Sequence, residues 1–268
     1  MTFTDGIALR RMDELGGLDS PVHRVDARAK ALATLAFIVT VMSFPRYELT
    51  TLTPLVLYPV ALLALGGLPA RVILKKLLVA APFAMLIGLF NPLLDRQLVI
   101  LPGGFEVAAG WLSFASILLR FLLTVSAALA LVACTGMLRL CGGLERLGLP
   151  RAFAVQLLFL HRYLFVIADE GGRMRCGWAL RSAGGRAPSL TVYGSLLGHL
   201  LLRALARAER IYGAMLARGF DGEIRTLRGA RWRARDGLFV AGWLIFFAAA
   251  RRWNLAAELG RLLTGGGA

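Results

Sequence analysis

The stretch that decides the fold is Val107–Leu138, VAAGWLSFASILLRFLLTVSAALALVACTGML, in which Arg120 is the one charged residue. A helix of about 20 residues, rising 1.5 Å per residue, crosses the ~30 Å hydrocarbon core of a bilayer. The stretch therefore predicts a membrane-spanning helix. Because a charge inside a membrane is costly, Arg120 is a candidate functional residue. The alternative is that it snorkels to the surface or pairs within its own bundle.

Other apolar runs extend this picture to the rest of the chain. They are Ala29–Phe44, Leu49–Leu68, Leu77–Leu94 and Gly237–Ala250. The last covers only about 21 Å as a helix, so flanking arginines and Trp253 would have to anchor it. The chain is 57% hydrophobic with a mean hydropathy of +0.67 and a net charge of +15. This composition predicts an all-α polytopic membrane protein with about five transmembrane helices.

The positive charge is concentrated in one segment. Leu138–Arg235 contains 17 Arg, no Lys and 6 Asp or Glu. Since arginine forms forked pairs with carboxylates, this bias favours an acidic protein partner. Anionic lipid headgroups are the alternative. Without a nucleic-acid-binding motif, a nucleic-acid partner is not expected.

The segments predict four parts in chain order. Residues 1–28 form a cytosolic N-terminal segment, 29–138 a membrane bundle of four helices, 139–235 a cytosolic coupling-helix module, and 236–268 the last membrane helix and tail. Basic residues favour the cytosolic side, which places the N-terminus in the cytosol of a multi-pass protein of the cytoplasmic (inner) membrane. The tail conflicts with this rule. If the last segment crosses the membrane, Arg251, Arg252 and Arg261 lie on the side opposite the cytosol.

Two arginines in the basic segment end long amphipathic stretches. Arg181 is followed by Ser182-Ala183-Gly184-Gly185, and Arg218 by Gly219-Phe220-Asp221-Gly222. Both fit ordinary C-terminal helix charges, because a helix end is electron-rich and glycine commonly stops a helix. Their doubling, with apolar residues before each, also fits a charged helix tip that enters a groove on another protein.

These tips carry a resemblance to a known family. Ala217-Arg218-Gly219 resembles the Ala-Arg-Gly coupling motif of the transmembrane T component of energy-coupling factor (ECF) transporters. Ala179-Leu180-Arg181-Ser182 resembles the Ala-Arg-Ser counterpart, with Leu180 where Ala is usual. Ser20–Lys30, SPVHRVDARAK, is similar to the pattern S-P-x-H-x-x-D-P-R-x-K of the family. Leu147-Gly148-Leu149-Pro150 and the segment 162–174 look like the cobalt-type (CbiQ-like) branch.

The resemblance implies a subunit that couples two cytosolic ATP-binding-cassette subunits to a membrane substrate-capture subunit. Ala179, Arg181, Ser182, Ala217, Arg218 and Gly219 would contact the ATPases, and Arg120 is a candidate contact for the capture subunit. The cargo would be cobalt, with nickel or a vitamin as alternatives.

The chain itself is expected not to be an enzyme. It lacks a Walker lysine motif, so ATP and Mg would bind to the partner subunits, and no cofactor is expected on this chain. Its three histidines stand far apart, which predicts no metal site. A second class, an integral-membrane enzyme acting on anionic substrates, predicts an acid/base cluster beside the membrane, and a self-sufficient channel predicts polar residues along several spans.

Overall fold

The computed structural model describes residues 20–45, 50–94, 98–100, 106–182, 189–222 and 232–252. Helices dominate this part of the chain, which confirms the all-α class. They are α1 (Ala27–Ser43), α2 (Leu57–Gly66), α3 (Ala70–Leu94), α4 (Ala109–Thr135), α5 (Met137–Arg146), α6 (Arg151–Arg181), α7 (Leu190–Ala217) and α8 (Ala234–Arg252), with a 3₁₀ segment at Thr50–Val56. Two three-residue strands, β1 (Leu98–Ile100) and β2 (Glu106–Ala108), pair antiparallel between α3 and α4.

The described residues form two compact units. The bundle unit consists of residues 20–136 and 232–252, and the inserted unit of residues 137–222. The chain leaves the bundle unit at Gly136, whose φ of 73° is the left-handed backbone that glycine adopts readily. The cytosolic location of the predicted module 139–235 stays a prediction.

Three helices of the described part are long and apolar enough to cross a membrane: Ala70–Pro92, Gly110–Thr135 and Arg151–Arg181. The outer face of α3 is apolar and bare, with Leu78 71% and Val79 83% exposed, as expected for a surface that faces lipid. The chain is thus a polytopic membrane protein. The third of these helices, α6, lies in the predicted cytosolic module. It is apolar enough to cross a membrane because its first half is densely apolar.

The second apolar run, Leu49–Leu68, does not form one helix. Thr50–Val56 is a 3₁₀ segment with Pro54 inside it, and α2 begins only at Leu57. A proline has no N–H to donate and its ring clashes with the preceding turn, which opposes a continuous α-helix. Pro59 is tolerated because it lies in the first turn of α2, where the N–H groups have no partner within the helix.

The last helix is longer than its apolar run. α8 has 19 residues, about 28 Å at 1.5 Å per residue, instead of the 14 of Gly237–Ala250. It runs parallel to α1. At one end Asp236 accepts a hydrogen bond from the backbone N–H of Asp26, and at the other the Arg251 guanidinium lies 5.0 Å from the Phe44 ring centre. α8 therefore extends as far across the bundle as α1 does.

Aromatic rings join these helices in the core. The ring of Tyr58 on α2 lies 4.7 Å from Phe37 of α1, and 4.8 Å and 5.4 Å from Trp243 and Phe247 of α8. Its hydroxyl lies 2.7 Å from the Thr34 hydroxyl, so the polar tip of a fully buried tyrosine has a partner. The core of the bundle unit thus includes the place where α1, α2 and α8 meet.

Candidate coupling site

The inserted unit presents the two long helices that carry the predicted tips. α6 begins after Pro150, and α7 begins after Ser189, whose hydroxyl accepts a hydrogen bond from the backbone N–H of Val192. Gly171 lies where the helices approach each other, since a Cβ there would lie 3.5 Å from Leu200 Cδ2. α6 continues through Gly171-Gly172 without a break in the helix.

One carboxylate holds the two helices together beside this approach. Glu170 on α6 accepts hydrogen bonds from Arg173 Nη2 at 2.5 Å and from Arg203 Nη1 of α7 at 2.6 Å. These arginines, Arg173 first, lower the pKa of Glu170, which lies in the predicted module outside the predicted membrane runs. Pairing with Arg173 lies within one turn of the helix and can be read from the sequence. Pairing with Arg203 was missed, because the partners lie 33 residues apart.

The tip of α7 is closed by a glycine cap. The backbone N–H of Gly219 donates to Leu216 O at 2.9 Å, and that of Phe220 donates to Met215 O at 3.0 Å. Gly219 has a φ of 79°. This pair of bonds around a left-handed glycine is the Schellman motif, and it ends the helix right at Arg218.

The tip of α6 ends differently. Ser182 has an extended backbone (φ −84°, ψ 99°), and its backbone N–H donates to Trp178 O at 3.0 Å. Its hydroxyl donates to Ala179 O at 3.2 Å, so Ser182 satisfies two carbonyls that the helix end leaves open. The predicted glycine stop at Gly184-Gly185 lies outside the described residues. The two tips are therefore alike in charge and unlike in cap.

Both tips face away from the rest of their unit. Arg181 and Arg218 are exposed, as are Ala179, Ala217 and Gly219, and Leu180 is 84% exposed. Within the ranges that the structure describes, neither guanidinium has an ion-pair or hydrogen-bond partner, in contrast to Arg203. Two unpaired cations at capped helix ends suit a carboxylate-bearing surface on another molecule.

A groove of about 830 Å³ lies between α6 and α7. Apolar side chains line most of it, with Glu170 and Arg203 on its polar edge. Phe220, the residue after the glycine cap, lies at the wall of the groove with its ring 6.4 Å from Phe159 of α6. The end of α7 is thereby held against α6.

Arg120 lies on α4 in the bundle unit, whereas the two tips belong to the inserted unit. Its Nη2 donates to Phe44 O at 3.0 Å and to Pro45 O at 2.7 Å, at the C-terminal end of α1. A cation is stabilised at this electron-rich helix end. The geometry favours the alternative in which Arg120 pairs within its bundle, and contact with a capture subunit stays a prediction.

The described residues contain no group of three His, Cys, Asp or Glu side chains placed to hold a metal ion. His23 is buried, with its Nδ1 2.7 Å from the Ser20 hydroxyl, while His161 forms an edge contact with Phe165 at 5.1 Å. In this part of the chain, then, the side chains that commonly bind metals have other contacts or stand apart.

These features define a polytopic membrane protein that presents two exposed cationic helix tips. Comparison with known proteins places it more narrowly. The family described as cobalt transport protein, CbiQ, matches residues 19–227, and the chain belongs to this family.

Individual relatives are named as transporter or transport proteins as well. The energy-coupling factor transporter transmembrane protein EcfT of Heliobacterium modesticaldum is 30% identical over 226 residues, covering 78% of this chain and 84% of the relative. EcfT of Bacillus selenitireducens is 29% identical, covering 86% of this chain and 92% of the relative. Cobalt transport protein CbiQ of Rhodobacter capsulatus is 31% identical, covering 73% and 78%. The chain is therefore a transmembrane component of an energy-coupling factor (ECF) transporter.

Proposed function

We propose that this chain transmits the movement of two cytosolic ATP-binding-cassette subunits to a membrane subunit that captures a metal ion. The observation that carries the proposal is the pair of exposed, unpaired arginines at the capped ends of α6 and α7, Arg181 and Arg218. One tip for each ATPase is the arrangement that a paired motor would need.

The two long helices of the inserted unit are joined to each other, as this role requires. The bridge from Glu170 to Arg203, the contact at Gly171 and the ring contact from Phe159 to Phe220 join α6 to α7 at separate points. When ATP binding draws the two ATPases together, grooves that hold the tips would move with them. Helices joined in this way would move as levers and pass the displacement toward the capture subunit, which then releases its ion.

We propose cobalt as the cargo, with nickel or a vitamin as alternatives. The name of the Rhodobacter capsulatus relative supports cobalt for that protein, and the match to the CbiQ family extends the expectation to this chain. ATP and Mg would bind on the ATPases and the ion on the capture subunit. The N-terminus would be cytosolic, so that both tips face the ATPases.

The experiment reverses the charge of both tips. The double variant Arg181→Glu, Arg218→Glu is expressed with its ATPase and capture subunits. Losing a buried, paired arginine at an interface typically costs ~2–5 kcal/mol, so recruitment of the ATPases should weaken by roughly 30-fold or more, and cobalt uptake should stop.

The matched control is the double variant Arg175→Glu, Arg210→Glu, which makes the same charge change on the same two helices away from their ends. Both control arginines are exposed. The control should recruit the ATPases nearly as well as the parent. Recruitment and uptake that survive in the tip variant, or that fall equally in both variants, would refute a role for the tips.

A further inference from the structure

The segment Ser20–Lys30 takes no part in the function proposed above, although it resembles a family motif. In the structure it forms the turn before α1 and the first turn of that helix, and its side chains His23, Asp26 and Lys30 are buried. Its contacts are made with two places: the end of α4, where the chain leaves the bundle unit, and the start of α8, where it returns.

The first contact holds the exit of the chain. Lys30 is 1% exposed, and its Nζ donates to Cys134 O at 3.0 Å. α4 ends one residue later, at Thr135, and Gly136 then turns the chain into the inserted unit. A buried ammonium group carries a large desolvation cost, so its position opposite a helix-terminal carbonyl is a specific one.

The second contact holds the return of the chain. Asp236 is 1% exposed, and its two carboxylate oxygens accept from different helix starts. Oδ2 accepts from the backbone N–H of Arg233 at 2.8 Å, just before α8, and Oδ1 accepts from that of Asp26 at 3.0 Å, just before α1. Asp26 in turn accepts from the backbone N–H of Arg28 at 2.9 Å. One carboxylate thus caps both helices.

Both contacts converge on a single turn of helix. Asp26 and Lys30 are four residues apart at the start of α1. The same turn is therefore hydrogen-bonded both to the last turn of α4 and to the first turn of α8. A third hydrogen bond, from Arg235 Nη2 to Arg24 O at 2.6 Å, also joins the segment before α1 to the start of α8. The covalent connections of the inserted unit to the bundle unit lead to these two helix ends.

We infer that the start of α1 is the anchor against which the inserted unit works, with Lys30 and Asp236 as its positioning residues. This inference rests on the proposed coupling function. A loosened anchor lets the helix ends shift when the ATPases pull, so that ATP is hydrolysed with less movement delivered to the capture subunit. The consequence is a lower ratio of ions transported to ATP hydrolysed.

The test uses the whole complex, with its ATPase and capture subunits, in lipid vesicles. Lys30→Met and Asp236→Asn each remove a charge-assisted bond and keep the side-chain size. Uptake of radiolabelled cobalt and hydrolysis of ATP are measured together. Loss of a hydrogen bond to a charged group shifts the equilibrium toward the loosened helix ends by about tenfold or more, so the transport ratio should fall severalfold in each variant. ATPase recruitment should be retained, because both tips are intact.

The control is Thr34→Val, which removes the partner of the Tyr58 hydroxyl one turn further along α1. It also removes the hydrogen bond from the Thr34 hydroxyl to Lys30 O at 2.8 Å, but it leaves the bonds of Lys30 Nζ and of the Asp236 carboxylate in place. It should therefore lower the unfolding temperature and leave the transport ratio unchanged. Partial unfolding lowers uptake and hydrolysis together, and the ratio is insensitive to it.

The outcomes separate the two proposals. Parental ratios in both anchor variants would overturn the anchor, as would a fall in Thr34→Val as large as theirs. If Lys30→Met does not fold, Asp236→Asn alone decides. A parent complex that takes up no cargo under ATP would instead refute the proposed function, and the anchor with it.

Discussion

The cap at the tip of α7 allows a prediction in which the same substitution has opposite effects at two glycines. Gly219 has a φ of 79°, and a Cβ built there meets nothing within 4 Å. The cost of Gly219→Ala is therefore the backbone strain of a left-handed L-residue alone, roughly 1–2 kcal/mol. Gly213 lies inside α7 with equally open space around it. Gly213→Ala should stabilise the helix by about 0.5–1 kcal/mol.

Amide hydrogen exchange measures both effects where they occur. The N–H groups of residues 219 and 220 close the cap, with bonds of 2.9 Å and 3.0 Å. In Gly219→Ala they should exchange roughly 5–30-fold faster, since 1.4 kcal/mol corresponds to a factor of ten. In Gly213→Ala, exchange in the last turns of α7 should slow. Because a frayed end no longer fixes Arg218, Gly219→Ala should also weaken ATPase recruitment.

Two results would refute this reasoning. Exchange at residues 219 and 220 that is unchanged in Gly219→Ala would mean that the left-handed cap does not limit opening. A shift of the same sign in both variants would mean that general helix propensity, and not the cap geometry, governs the end of α7.

Two further predictions concern charged contacts inside each unit. Arg120→Met leaves two carbonyls at the end of α1 without their donor and should lower the free energy of unfolding of the bundle by about 1–3 kcal/mol. The measurement is the unfolding temperature in detergent. Arg71→Met, at an exposed position on α3, should leave that temperature unchanged. The bridge from Glu170 to Arg203 should persist as pH falls until Glu170 is protonated, below the usual carboxyl range because its pKa is lowered. Spin labels on α6 and α7 should then separate. Glu170→Gln should separate them at neutral pH, while Glu209→Gln, at an exposed position on α7, should not. A distance that responds neither to low pH nor to Glu170→Gln would contradict the bridge.

Local signals in the sequence determined the membrane class and the helices. Apolar runs of the right length reveal spans because a bilayer fixes the length that a helix must cover. The cap at Asp26, the stop after Arg218 and the pair Glu170 with Arg173 were also readable, because each depends on residues within one turn of one another. The two exposed tips are candidates that the sequence located to the residue.

The same local signals misjudged the second and fifth runs. Leu49–Leu68 contains no charge, and apolarity alone does not show that its prolines divide it into a 3₁₀ segment and a short helix. Gly237–Ala250 appeared too short because Asp236 and Arg251 beside it are charged. Both charged residues have partners at the ends of α1, which allows the helix to extend past the apolar run.

Tertiary structure alone decided which charged residues bond to a distant part of the chain. Lys30 meets a carbonyl 104 residues away, Asp26 meets Asp236 across 210 residues, and Glu170 meets Arg203 across 33. Sequence shows that a residue carries charge, but a partner is chosen by helix packing that brings distant turns within 3 Å. Arg181 and Arg218 have no such partner among the described residues, and helix packing leaves them exposed at the ends of α6 and α7 while it pairs Arg203 of α7 with Glu170.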